Sequence, residues 1–130
     1  MYPHILIVDD DQNILELLHT FFIQHGYSVT STMYPVEAMT LLSKLDFDIV
    51  ITDVVMKPID GSTIIKRLRD NGFKGKTIVM SGYPDAIKEV CGCMHIDHCI
   101  IKPFKLQVIM DIVEAMIRQK EADVVPKSLG

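Results

Sequence analysis

Five short apolar runs, most of them rich in Ile and Val, alternate along the chain with five longer segments whose apolar residues recur at helical spacing, and no other feature narrows the fold as far. The runs are His4 to Val8, Tyr27 to Ser31, Asp48 to Thr52, Thr77 to Met80 and Cys99 to Ile101. Ile- and Val-rich runs of this length suit strands buried on both faces, as parallel strands are. Between them, Asn13 to His25 carries Ile14, Leu17, Leu18, Phe21 and Phe22 at helical spacing and meets a stop signal at Gly26. Val36 to Leu45 and Ser62 to Arg69 repeat the pattern, the latter ending near Asn71-Gly72. A fourth helix is expected after Pro84, whose missing N–H costs nothing in a first helical turn, and a fifth over Leu106 to Arg118. Each parallel connection needs a crossover, so the expected fold is α/β: a flavodoxin-like (βα)5 doubly wound parallel five-stranded sheet in the order 2-1-3-4-5.

The 130 residues and 48% hydrophobic content suffice for one core. The expected division is a single domain over 1–119 and a polar, proline-containing tail or linker start over 120–130. A net charge of -4, with 13 basic and 17 acidic residues spread along the chain, provides no basic stripe for nucleic acid. The opening MYPHILIVDDD is too short in its apolar run and too acidic for a secretory signal, and no stretch reaches membrane-span length. A soluble, cytoplasmic protein without direct nucleic-acid or membrane contact is expected. The three cysteines, all between Cys91 and Cys99, are not a paired secreted framework and are expected to be reduced thiols acting as small hydrophobes.

In open α/β sheets ligands bind beyond the carboxyl ends of the strands. Asp9, Asp10 and Asp11 follow the first run, Asp53 the third, Ser81 the fourth, and Lys102-Pro103 the fifth. Asp11, just before a helix, is assigned as its N-cap. Asp9, Asp10 and Asp53 would crowd three carboxylates together, which like-charge repulsion disfavours without a cation, and Mg²⁺, a hard ion preferring oxygen ligands, resolves it. One carboxylate can then act as nucleophile on a phosphoryl group, with Lys102 and Ser81 on the phosphoryl oxygens.

These residues resemble the receiver domain of response regulators in two-component systems, over Ile5 to about Arg118. The resemblance rests on Asp9-Asp10 in ILIVDDD, Asp53 in DIVITDVVM, Ser81 in IVMSG and Lys102 in IIKPF. It implies Asp53 as phosphoacceptor, with Lys102 and Ser81 holding phosphoryl oxygens. It implies Mg²⁺, with Mn²⁺ as a substitute, bound by Asp10, Asp53, the Val55 backbone carbonyl and, through water, Asp9. Lys102-Pro103 is expected to contain an unusual backbone turn. The phosphodonor would be a sensor histidine kinase or phosphotransfer protein. An effector or output domain would engage the face of the fourth helix, fifth strand and fifth helix, with homodimerisation on phosphorylation a further implication. No enzyme activity beyond self-phosphorylation and autodephosphorylation is expected.

Three positions depart from the family pattern. Lys57 stands where the loop after the phosphoacceptor usually has proline. Cys99 replaces the aromatic residue three places before the lysine, which removes the usual ring rotation, and Tyr83 is a candidate substitute. Gly92 lies inside the fourth helix, and His95 stands where glycine is usual. Cys91, Cys93, His95, His98 and Cys99 also form a candidate zinc or thiol-sensing cluster, although their spacing is not that of the common zinc knuckles.

Two other functions share part of this pattern. An aspartate-nucleophile phosphatase would use Asp9, with Asp11 two residues on, whereas a degenerate receiver that only binds partners would be expected to lose some of the acidic or lysine positions. A flavodoxin-like electron carrier is excluded because three aspartates occupy the place of its phosphate loop.

Overall fold

The computed structural model describes residues 3–93 and 96–124. It contains β1 (His4–Val8), α1 (Gln12–Gln24), β2 (Ser28–Thr32), α2 (Pro35–Lys44), β3 (Ile49–Asp53), α3 (Gly61–Asp70), β4 (Lys76–Ser81), α4 (Pro84–Cys93), β5 (His98–Ile101) and α5 (Leu106–Val124). The strands pair in parallel in the order β2-β1-β3-β4-β5, the order expected.

Strand alternation divides the core into two layers. Ile5, Ile7, Ile49, Ile51, Ile78, Met80 and Ile100 pack on one face with Leu18 and Phe22 of α1 and Ile109 and Val113 of α5. Leu6, Val8, Val50 and Val79 pack on the other with Ala38 of α2, Ile64 and Ile65 of α3, and Ile87 and Val90 of α4. On α1, Leu15 joins the core while Leu17 is 54% exposed, so its buried stripe lies slightly aside from the one the spacing suggests.

The two helix stops read from glycine are present. Gly26 and Gly72 adopt φ of 89° and 83°, a region open to residues without a Cβ. After each, the chain closes back on the helix: Tyr27 N–H donates to Phe22 O and Gly26 N–H to Ile23 O, and Phe73 N–H donates to Leu68 O and Gly72 N–H to Arg69 O. α5 continues past Arg118 to Val124, and its Lys120 pairs with Asp48.

Asp48 organises the amino end of the sheet. Its Oδ2 accepts from His4 N–H at 2.8 Å, its backbone N–H donates to His4 O, its carbonyl accepts from Lys76 N–H, and Lys120 meets its Oδ1. Burial works against the carboxylate, but Lys120 and the His4 N–H outweigh it and hold its pKa below the usual value. The depressed folded value means that ionised Asp48 contributes stability above about pH 4, the unfolded range, and that this is lost as pH falls through the folded value. Asp48→Ala is expected to cost about 1–3 kcal/mol in urea unfolding at neutral pH. Its gap to wild type should narrow below about pH 4, and a gap constant with pH would contradict this account.

Candidate functional site

β1 and β3 pair with Val8 opposite Thr52, so one step further along the strands Asp9 and Asp53 come side by side. β4 brings Met80 opposite Asp53, and β5 brings Ile101 opposite Ser81, which places Lys102 beyond the same edge. The sequence-derived site residues Asp9, Asp10, Asp53, Ser81 and Lys102 thus gather at the carboxyl end of the sheet. Asp53 and Ser81 are the last residues of their strands rather than the first beyond them, so the sheet itself fixes their backbones.

Lys102 Nζ lies 2.7 Å from Asp9 Oδ2 and 2.9 Å from Asp53 Oδ2. Asp9 Oδ1 accepts from Asp11 N–H at 2.9 Å, and Asp53 Oδ1 accepts from Val55 N–H at 3.3 Å. Asp9 is fully buried, Asp53 is 7% exposed, and Asp10 is exposed. Carboxylate oxygens of Asp9, Asp10 and Asp53 all lie within 4.8 Å of one another.

The ammonium contacts two of the three carboxylates. Burial pushes the Asp9 carboxyl above its ordinary pKa despite Lys102 and the Asp11 N–H, and Asp53 adds to the rise. Burial also acts to lower Lys102, but its contacts with Asp9 and Asp53 prevail and raise it, so it is charged at neutral pH. A group of hard oxygen donors short of positive charge suits a divalent cation such as Mg²⁺.

Ser81 is buried, and its Oγ accepts from Tyr83 N–H at 3.0 Å, while Lys102 N–H donates to Ser81 O at 2.8 Å. The Tyr83 side chain is 65% exposed. Asp11 caps α1 as expected, its Oδ1 accepting from Asn13 and Ile14 N–H. Lys102-Pro103 and Lys57-Pro58 are both cis peptides. Lys57 is exposed, in keeping with a solvated charge.

The expectation of three reduced thiols is corrected: Cys91 of α4 and Cys99 of β5 are disulfide-bonded. Spacing along the sequence does not reveal that α4 brings Cys91 over β5. With those two sulfurs joined to each other, the zinc reading of the cluster loses two of its ligands. Gly92 falls in the last turn of α4. His95 lies outside the described residues.

Sequence reasoning overlooked Gly61. Its N–H donates to Val54 O at 2.9 Å, and a Cβ there would stand 2.0 Å from the backbone oxygen of Asp53, which also accepts from Thr52 Oγ1. The available signal was the Asp60-Gly61 pair at the mouth of α3. Lys102 also rests on Asp9 and Asp53, contacts that the sequence alone does not show.

The site is thus an acidic cluster with a lysine at the carboxyl end of the strands of a doubly wound α/β domain. Residues 5–114 match the family model described as response regulator receiver domain, and the chain belongs to that family. Among curated relatives, the response regulator SaeR of Staphylococcus epidermidis is 43% identical over 67 residues, covering 52% of this chain and 29% of that protein. SaeR of Staphylococcus aureus is 42% identical over 66 residues, covering 51% and 28%. The response regulator TrrA of Thermotoga maritima, solved in complex with Mg²⁺-BeF, superposes with a TM-score of 0.80 at 26% identity, covering 89% of this chain and 99% of that one. A CheY-like receiver domain protein of Methanospirillum hungatei gives 0.88 at 20% identity, covering 95% and 99%, and supports the fold alone.

The Gly61 contact is directly testable. Gly61→Ala is expected to lose about 2–4 kcal/mol in urea unfolding, because the obstructing atom is backbone. Gly82, where a Cβ would meet nothing within 4 Å, serves as the control. Gly82→Ala should stay within about 0.5 kcal/mol of wild type, and equal losses at the two positions would contradict the steric account.

Proposed function

We propose that this chain is the phosphoacceptor receiver of a two-component system, taking a phosphoryl group from a histidine kinase or phosphotransfer protein onto Asp53. The observation that carries the reading is the Lys102 ammonium held between Asp9 and Asp53, with Asp10 beside them, at the edge of a parallel sheet. An Asp53 carboxylate oxygen forms the new bond to phosphorus as the bond to the donor's imidazole nitrogen breaks, and the imidazole leaves with its electron pair. Lys102 stays charged and offsets negative charge on the phosphoryl oxygens, and the Ser81 hydroxyl can turn from the Tyr83 N–H to donate to one of them. Asp10, Asp53 and the Val55 carbonyl would hold Mg²⁺ directly, and Asp9 would do so through water. When bound, the ion neutralises the carboxylate cluster and draws phosphoryl oxygens to it. That TrrA was solved in complex with Mg²⁺-BeF supports a Mg²⁺ site in a domain of this kind.

The phosphorylated form would act on an effector, or on a second copy of the chain, through α4, β5 and α5 by shifting an existing equilibrium. Among the described residues no helix is long and apolar enough to cross a membrane, which is compatible with the cytoplasmic location proposed. The match spans under a third of the SaeR proteins, so their activity as whole regulators remains a proposal for this chain. Asp9 is fully buried whereas Asp53 keeps 7% exposure, which favours Asp53 as the carboxylate that meets a phosphodonor.

The test is intact-mass analysis after incubation with a small acyl phosphate and Mg²⁺. Wild type should gain one phosphate, Asp53→Asn none, and a chelator should abolish the gain. Lys102→Ala should slow the reaction by roughly 100-fold, the loss that follows removal of one charge-stabilising donor. A phosphate retained by Asp53→Asn would overturn the assignment.

A further inference from the structure

The Cys91–Cys99 pair plays no part in the phosphoacceptor chemistry, yet it joins the two elements that flank the site. Cys99 pairs in register with Val79 of β4, two residues before Ser81, and stands three residues before Lys102 on β5. It packs half-buried against the core layer formed with Ile87 and Val90 of α4. Cys91 lies at the solvent-exposed side of α4, with Cα atoms 7.0 Å apart across the pair. The bond ties α4 covalently to β5.

We infer that Cys91 and Cys99 form a thiol-disulfide modification site that clamps α4 onto β5 when oxidised and releases it when reduced. Exposure makes Cys91 the attacking sulfur and half-burial makes Cys99 the resolving one. The Cys91 thiolate attacks one sulfur of a low-molecular-weight disulfide, forming a mixed disulfide and expelling one thiolate. The Cys99 thiolate then attacks the Cys91 sulfur and expels the second. The two chain thiols are oxidised, the small disulfide is reduced to two thiols, and the protons given up by Cys91 and Cys99 pass to the departing thiolates. In a compartment that keeps thiols reduced, such a bond is transient and regulatory rather than a permanent staple. Cys91 lies on the surface through which phosphorylation is proposed to act, so the oxidised clamp would restrain the movement of α4. That consequence rests on the phosphoacceptor reading; the bond itself does not.

The experiment needs no phosphodonor, so its failure is separate from that of the phosphoacceptor reading. The chain, and a Cys99→Ser variant, are equilibrated with oxidised or reduced glutathione, then alkylated, digested and mapped, with amide hydrogen exchange read in parallel. Oxidation should give a peptide linked between Cys91 and Cys99 that a dithiol reverses. It should slow exchange of α4 amides by about tenfold or more relative to the reduced chain, with no such slowing in Cys99→Ser. Linkage through Cys93 instead, no linkage, or a Cys91–Cys99 linkage that leaves α4 exchange unchanged would overturn the inference.

Discussion

The contact of Lys102 with Asp9 and Asp53 is the interaction on which the rest of this structure converges. Its partners are 93 and 49 residues away in sequence, so it exists only if β5 has been placed against β4, β4 against β3, and β3 against β1, each in its correct register. A slip of one residue would turn Asp9 or Asp53 to the opposite face of the sheet. The two apolar layers prevent that slip, because any shift would also bring Ile5, Ile7, Ile49 and Ile51 out of the layer they share with α1 and α5.

The two ends of the sheet handle charge in opposite ways. At the amino end, the Asp48 carboxylate has a cation and a backbone donor, which together outweigh burial, and its pKa falls. At the carboxyl end, Lys102 touches two carboxylates with a third close by, and the pKa of buried Asp9 rises. The first arrangement is complete as it stands and serves the fold. The second is short of positive charge, which costs stability in the isolated domain and which, on the proposed reading, a divalent cation would offset. Gly61 and Thr52 show how closely the backbone beneath that cluster is supported, since both meet the Asp53 carbonyl.

Much of this was legible in the sequence, for identifiable reasons. Strands buried on both faces read as Ile- and Val-rich runs, glycines requiring positive φ mark the ends of α1 and α3, and charged residues stand out where an apolar run stops. Features set by the meeting of distant segments were not legible. That Asp53 and Ser81 end their strands from inside the ladder depends on register, and that Lys102 rests on Asp9 depends on five strands assembling. The Cys91–Cys99 bond depends on which side of α4 faces β5, and Gly61 on how closely α3 approaches β3. None of these leaves a local signal stronger than a residue type at a plausible place.

The folded carboxylate cluster, under-compensated by Lys102, is proposed to bind a divalent cation. The direct measurement is unfolding stability by urea as a function of Mg²⁺ concentration, in wild type and in Asp53→Asn. Wild-type stability should rise by RT ln(1 + [Mg²⁺]/Kd), about 1.4 kcal/mol when free Mg²⁺ is near ten times Kd, while the variant, having lost a ligand, should respond far less. A wild-type stability that stays flat across millimolar Mg²⁺, or a variant that responds as strongly as wild type, would contradict it.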